Sequence, residues 1–495
     1  MLENRERTPV KTPFPNPEVS SSAEDDHMHE ECGVFGITGH KEGAVWRAYD
    51  AAITEVNRGD QATGVGVLSD GHAVSIADHG NATVALRGGR SLEGYGDAKA
   101  ALAQTNYSTQ ENPEMQPVPT HDILLAKNGN ISNAQELAGR YNVQVTDRMS
   151  DSGMLARIIG NQKQVLGSTE AAIEEVIPKV RGAFSIVVLD GDKLIPIRDR
   201  IGWRPLVKGR LNDGSGWAAA SETPVFDMID AESEGTVEPG TYEVIGPDGV
   251  EKIHRWGKAL HPKGKAIICG MGLAYFERAD GQVEEIDVAD AREKMGEFLA
   301  EDHPVEADMV APYPDSGRQV ATGIAKVLKL VIRDAFYKNH VIGKTYIKPV
   351  HQIRKAVKLK LNPIRSAVRG RRLIAAEDSI VRGSTSRDTI RDLKKAGAEE
   401  VHMRVAFPPI KHDCHFGMNM KKKDGLLADG RTEEEMRVEI GADSLAFNTP
   451  ERFVEALGRD LGSVCMRCAT GDSPEEMHPE RAEESEEREP ELALA

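Results

Sequence analysis

Five cysteines in 495 residues are too few for a disulfide framework, which excludes the stapled secreted class and leaves each thiol to be explained on its own. Aromatic residues are scarce at 5%, and no apolar run approaches the ~20 residues that a spanning helix needs. A membrane protein is thereby excluded. Basic excess is also missing: the formal charge is −17, of which residues 1–31 carry −5 and residues 471–495 carry −8, leaving −4 for the body between them. That body lacks the electrostatic footprint of a nucleic-acid binder. The Pro-rich head continues into SSSAEDDHMHEE without the apolar stretch of a secretory signal. Head (1–31) and acidic tail (471–495) are expected to be disordered, and the protein cytoplasmic.

What is present is a chain too long for one core, so two or three domains are expected. From Cys32 to about residue 260, short apolar strands at 32–37, 63–68, 122–126 and 183–190 are separated by Gly, Asn and Asp turns. Helical stretches are expected near 92–104 and 151–160, with closing strands at 194–199, 216–221 and 240–246. This is the pattern of an α+β domain built on packed antiparallel sheets. In the second half, 261–470, helices at 288–301, 317–330 and 385–396 alternate with strands at 308–314, 371–378 and 401–407. That alternation predicts βαβ units and a mainly parallel sheet, whose ligands sit beyond the carboxyl ends of the strands.

The most informative segment is LIAAEDSIVRGSTSRDTIRDLKKAG. An apolar strand ends in two acids, Glu377 and Asp378, followed by Ser379, Arg382 and the small loop Gly383-Ser384-Thr385 at a helix start. Backbone amides and hydroxyls at such a start bind an anion. Carboxylates for ribose hydroxyls beside a cradle for a 5′-phosphate suit a phosphorylated ribose; an acidic turn with a Ser/Thr cap is the plainer alternative, and it does not require the acid pair. Cys465 and Cys468 form a Cys-x-x-Cys, and with Cys269 and Cys414 they supply the four thiols of an all-cysteine zinc site or a 4Fe-4S cluster. Cys269 and Cys414 are equally readable as buried small apolar residues. Cys32 opens the first strand behind the acidic head. Removal of 1–31 would give it a free α-amine able to act as base for its own thiol; an ordinary strand cysteine is the alternative.

With these residues in view, the chain resembles the amidophosphoribosyltransferases over roughly 32–470. The shared motifs run in order from EECGVFGI, NRGDQATG, KNGNISN and SDSG through IRDRIGWRPLV, ASETPVFD and YFERAD to PDSG, LKLNP, EDSIVRGSTS, PPIKHDCHFG and CMRC. The resemblance implies an N-terminal-nucleophile glutaminase, an αββα sandwich, over 32–260. It is fused to an α/β type I phosphoribosyltransferase over 261–470. It implies Cys32 as nucleophile, Asn128 and Gly129 as oxyanion hole, and Arg58, Asn106 and Asp151 around glutamine. Ser316, Glu377 and Asp378 fall where Mg2+ and phosphoribosylpyrophosphate are expected, Ser379 to Thr385 in the phosphate loop, and Lys338 and Lys360 in the same acceptor half. Cys269, Cys414, Cys465 and Cys468 match four 4Fe-4S ligands. Purine-nucleotide inhibition and a homo-oligomer follow as further implications.

The departures cluster at one pocket. Where the family reads His-x-Arg-Tyr this chain has Gln104-Thr105-Asn106-Tyr107, so the arginine expected on the glutamine α-carboxylate is Asn106. The His-Arg-Gly-Gln motif is Asn57-Arg58-Gly59-Asp60, and the histidine before Asn-Gly-Asn is Lys127, a candidate replacement cation from what reads as a neighbouring loop. Glu377 replaces the first Asp of the acid pair, the Lys-Asn-Arg-Tyr loop reads Lys338-Asn339-His340-Val341, and Lys344 replaces an arginine. Impaired glutamine use with better preserved ammonia use is the expected consequence. The other readings of the same pattern are a paralogue that binds phosphoribosyl ligands without efficient transfer and an ammonia-dependent phosphoribosyltransferase.

Overall fold

The computed structural model describes residues 32–69, 71–106, 114–339, 361–414, 416 and 425–474. The head, the tail from 475, Lys360 and the 340–344 segment lie outside the described residues.

The strand that Cys32 opens, Gly33–Gly39, is buried along its whole length because both of its faces are used. It pairs antiparallel with Ala100–Asn106 on one side and Gly216–Ala220 on the other, inside a seven-stranded sheet. A second, six-stranded sheet has Ile123–Ile131 and Gly182–Asp190 paired antiparallel near its middle. The sheets meet through Val34, Leu102, Leu124, Ala126, Val187 and Leu189. Gly36 is required by that meeting, since a Cβ there would lie 2.4 Å from Leu194 of the opposite sheet. Helix Ala44–Thr54 covers the outer face of the first sheet with Val45, Ala48 and Ala52. Helices Asp151–Leu166 and Thr169–Val176 cover the second. The layer order is therefore helix, sheet, sheet, helix, as the αββα expectation required.

One expectation is corrected. Residues 92–104 do not form a helix: a 3-10 turn at Arg90–Tyr95 leads into the strand Ala100–Asn106. Alanine-rich AALAQTN favours helix by local propensity. All seven of its residues are nevertheless buried, with Gly33–Gly39 and Ala62–Ser69 as its two partners. Small residues suit a central strand packed on both faces, and pairing on both edges outweighs the propensity.

The second half follows its expected alternation. Helices Val288–Asp302, Gly317–Leu328 and Ser384–Ala396 alternate with strands Met309–Pro312, Arg372–Glu377 and Glu400–Val405, and Ser444–Phe447 completes a four-stranded parallel sheet. Leu373, Ile374, Ala375 and Ala376 are fully buried, and each such Leu or Ile contributes about 1.5–3 kcal/mol by leaving water. The register aligns Pro312 with Ala376, Glu377 with Val405, and Val405 with Phe447, so the carboxyl ends of all four strands open on one edge. The two halves share one core: Ile201, Trp203 and Leu260 pack in the same cluster as Met295, Phe407, Phe453, Cys465 and Cys468.

Candidate active site

Cys32 has φ +70° and is 6% exposed. A side-chain-bearing residue in that left-handed region costs roughly 1–2 kcal/mol and persists only where its surroundings hold it. They do so through the next peptides: Gly33 N–H donates to Thr105 Oγ1 at 3.1 Å, Thr105 Oγ1 donates to the Glu55 carbonyl at 3.3 Å, and Val34 N–H donates to Ser221 Oγ at 3.0 Å. The Cys32 thiol donates to Asn106 Oδ1 at 3.1 Å. Asn106, at the end of its strand, thus touches the Cys32 thiol itself.

Asn128 lies on strand Ile123–Ile131, fully buried, with both side-chain polar atoms lacking a partner among the described residues. An unpaired buried amide costs about 1–3 kcal/mol, the signature of a group whose partner is a ligand. Gly129 has φ +115°, and a Cβ would fall 2.1 Å from the Ala183 carbonyl, so glycine is obligatory there. Lys127 lies on the same strand and not on a loop, which corrects its expected placement. Its ammonium pairs with Asp151 Oδ2 at 2.9 Å and donates to the Gly129 carbonyl. Burial alone would raise the Asp151 carboxyl, but Lys127 and the peptide N–H groups of Ile131 and Ser152 hold it below its ordinary range.

Arg58 takes a position different from the one expected of a glutamine contact. Its side chain is fully buried at the boundary between the halves, 3.0 Å from Glu222 through Nε and 2.6 Å from Glu277 through Nη2. Asn57 donates to Glu222 at 2.7 Å. Arg292, from the second half, donates to the Glu277 carbonyl at 2.7 Å and lies within electrostatic reach of Asp378. Behind this seam Glu55 accepts from Ser221 N–H at 3.0 Å, and burial pushes its carboxyl up to about 8 despite the nearby Arg58. Reading the sequence for function left out Glu55, Glu222, Glu277 and Arg292. Glu222 and Glu277 stand inside ASETPVFD and YFERAD, motifs that hold other polar and charged residues, so nothing local marks these two acids as the buried ones.

In the second half Glu377 and Asp378 sit at the carboxyl end of their strand. Ser316 donates to Asp378 Oδ2, and Ser379 Oγ donates to Oδ1 at 2.5 Å. Burial raises both carboxyls, Glu377 further because Asp378 is beside it, while the two serines oppose the shift at Asp378. Two adjacent acids, one buried and one half-buried, are suited to a divalent cation. Gly383, at φ +76°, is the N-cap of helix Ser384–Ala396 and has no side chain of its own to occupy the helix amides. Lys338 pairs with Asp315 of the PDSG segment.

The four remaining cysteines gather in one place. Cys269 is paired in parallel register with Cys465. Cys468 is buried, and burial together with neighbouring Cys414 and Cys465 pushes its thiol up. Peptide N–H groups of Gly272 and Phe416 donate to the Cys269 and Cys414 sulfurs at 3.3 and 3.4 Å. Among the described residues no three His, Cys, Asp or Glu side chains are spaced for a single metal ion.

A buried cysteine before the first strand, a buried Asn128 amide without a partner among the described residues, and an acid pair at the carboxyl end of a parallel sheet are the arrangement of a glutamine amidotransferase joined to a phosphoribosyltransferase, and the comparisons with known proteins agree. Residues 103–228 match the family described as "Glutamine amidotransferase domain". The chain is 32% identical over 472 residues to the amidophosphoribosyltransferase of Bacillus subtilis, covering 92% of this chain and 96% of that one. It is 31% identical over 471 residues to the amidophosphoribosyltransferase of Methanocaldococcus jannaschii, covering 91% and 99%. Among solved structures, the glutamine phosphoribosylpyrophosphate amidotransferase of B. subtilis complexed with ADP and GMP superposes with a TM-score of 0.79 at 32% identity, over 90% of this chain and 97% of that one. The chain belongs to the amidophosphoribosyltransferase family.

Proposed function

We propose that the protein forms 5-phosphoribosylamine, glutamate and pyrophosphate from phosphoribosylpyrophosphate and glutamine, at two sites joined by an internal route for ammonia. The observation that carries this reading is the Asn128 amide, buried and without a partner among the described residues, on a strand that packs against the one that Cys32 opens. After removal of residues 1–31 the Cys32 α-amine takes the thiol proton, and sulfur attacks the side-chain amide carbon. Charge that develops on the oxygen meets Asn128 Nδ2 and the Gly129 N–H, donors fixed before the reaction begins. The proton then goes to the departing ammonia, and water hydrolyses the thioester to glutamate. In the second half, ammonia attacks the anomeric carbon and pyrophosphate leaves with the bonding pair. The amides and hydroxyls of Gly383 to Thr385, with Arg382, hold the 5′-phosphate; Lys338 lies in the same half.

Glu377 and Asp378, with Ser316 fixing Asp378, would hold Mg2+, which when bound offsets the charge of the leaving pyrophosphate. Cys269, Cys414, Cys465 and Cys468 would hold a 4Fe-4S cluster, which supplies a cross-link between distant parts of the chain. Each thiolate of such a cluster binds a different iron, so the four sulfurs need not converge on one point. Purine-nucleotide feedback is supported by the relative solved with ADP and GMP. A homo-oligomer and a cytoplasmic location complete the reading; among the described residues no helix is long and apolar enough to cross a membrane.

The glutamine half-site is weakened by Asn106, because truncating one partner of a buried charge pair costs on the order of 2–5 kcal/mol. Pyrophosphate release measured in parallel with glutamine and with ammonium, on protein whose N-terminus is fixed by intact mass, tests both parts. Release with ammonium exceeding release with glutamine is expected. A glutamine-dependent rate at or above the ammonium rate would overturn the weakened half-site, and no release with either would overturn the reaction.

A further inference from the structure

We propose that Lys127 is a specificity-determining residue: an internal ammonium that occupies Asp151 and competes at the Cys32 pocket with the zwitterionic head of glutamine, so that it sets how far that half-site is weakened. This rests on the reading of Cys32 as a glutaminase nucleophile. A zwitterion is recognised by a carboxylate for its ammonium and a cation for its carboxylate. The carboxylate bordering Asn128 and Gly129 is Asp151, at the first position of helix Asp151–Leu166. A carboxylate has about four acceptor positions. At Asp151 the Oδ2 atom accepts from Ile131 N–H at 2.9 Å and from Lys127 Nζ at 2.9 Å. Its Oδ1 atom accepts from Ser152 N–H at 2.7 Å and Ser152 Oγ at 3.3 Å.

The Lys127 side chain is 4% exposed, its peptide N–H is anchored on Gln116 Oε1 at 2.7 Å, and its ammonium is also held by the Gly129 carbonyl. Swinging it away would leave a cation buried without a partner, which is strongly unfavourable. A substrate ammonium therefore competes with a tethered cation at high effective concentration. At the other end of the zwitterion, Asn106 brings a neutral amide whose oxygen already accepts from the Cys32 thiol. Both head-group contacts are thus neutralised from within the chain, while the nucleophile and the oxyanion donors stay in place.

Alkylation of Cys32, followed by mass, separates these two aspects of the pocket. A diazoketone analogue of glutamine carries the α-amino-acid head, whereas iodoacetamide is a small neutral electrophile that reports only thiol reactivity. In the unsubstituted chain the ratio of the two rates is expected to be low and not to saturate with the analogue. Lys127→Met or Lys127→Gln should raise that ratio on the order of tenfold by freeing Asp151, and Lys127→Met with Asp151→Asn should not. Saturable labelling of the unsubstituted chain at low-millimolar analogue would overturn the proposal without any variant having to fold. So would an unchanged ratio in folded Lys127→Met or Lys127→Gln, or an equal gain in the double variant. Iodoacetamide that leaves Cys32 unmodified, or ammonium-dependent pyrophosphate release that is absent, would instead count against the reaction proposed above, so the two failures are told apart.

Discussion

Glu55 shows how one buried acid makes the stability of the fold depend on pH. Its side chain lies so close under the first strand that a Cβ on Gly33 would fall 2.5 Å from its Oε2, and its own carbonyl accepts from Thr105. Burial raises its carboxyl to about 8, opposed by Arg58 and the Ser221 and Glu222 peptides and assisted by Glu277. In the unfolded chain the same group ionises near its ordinary value of 4.5. Between these values the folded state holds a proton that the unfolded state has lost, so this group lowers stability as pH rises from about 4.5 to about 8 and adds nothing further above. Glu55→Gln should therefore show a flatter fall in thermal midpoint across that window than the unsubstituted chain. Parallel slopes for the two proteins would mean that Glu55 ionises normally.

At the scale of elements, the unit proposed to bind phosphoribosylpyrophosphate is a strand, a loop and a helix that would each supply one part of the site. The strand end supplies Glu377 and Asp378, the loop bends at Gly383, and the helix start presents Ser384 and Thr385. A Cβ on Gly383 would come within 3.0 Å of Leu427, so the loop is held against the core while it turns. Charged hydrogen bonds contribute about 1.5–3 kcal/mol each, so Asp378→Asn should weaken phosphoribosylpyrophosphate roughly tenfold to a hundredfold. Thr385→Val should weaken it less, and equally for ribose 5-phosphate, because it acts only at the phosphate end. Calorimetry with both ligands checks this, and unchanged affinity in both variants would remove the site.

At the scale of the molecule, the halves are joined by two different kinds of contact. Arg58, Glu222, Glu277 and Arg292 form a buried charged seam, in which loss of one partner costs about 3–5 kcal/mol because the others remain buried. Near the cysteines the contact is aromatic: Trp203 of the first half lies 5.7 Å from Phe416, and Arg204 stacks over Trp203 at 4.4 Å. Phe416 N–H donates to Cys414, so any cluster held there also holds this contact. Anaerobically purified protein should be brown with about four irons per chain. Cys468→Ser should bleach it and raise amide exchange both around Cys269 and around Trp203. Colourless protein, or protein containing stoichiometric zinc, would defeat the cluster.

The sequence by itself determined the elements whose signals are local. The parallel strands of the second half read as apolar runs because both faces are covered, and the acid pair with its Gly-Ser-Thr loop is contiguous, so both were legible without coordinates. Gly129 and Gly383 were legible as motif letters, and the structure adds the reason in the Ala183 carbonyl and in their positive φ. Only the tertiary structure decided matters set by residues distant in the chain. Ala100–Asn106 is a strand because two neighbours pair with it, against its own propensity. Arg58 is drawn into the seam by Glu222 and Glu277, which lie 164 and 219 positions away. Lys127 reads in the sequence as a spare cation, and only the fold pairs it with Asp151, since an ion pair is fixed by the approach of two side chains and neither residue records that approach on its own.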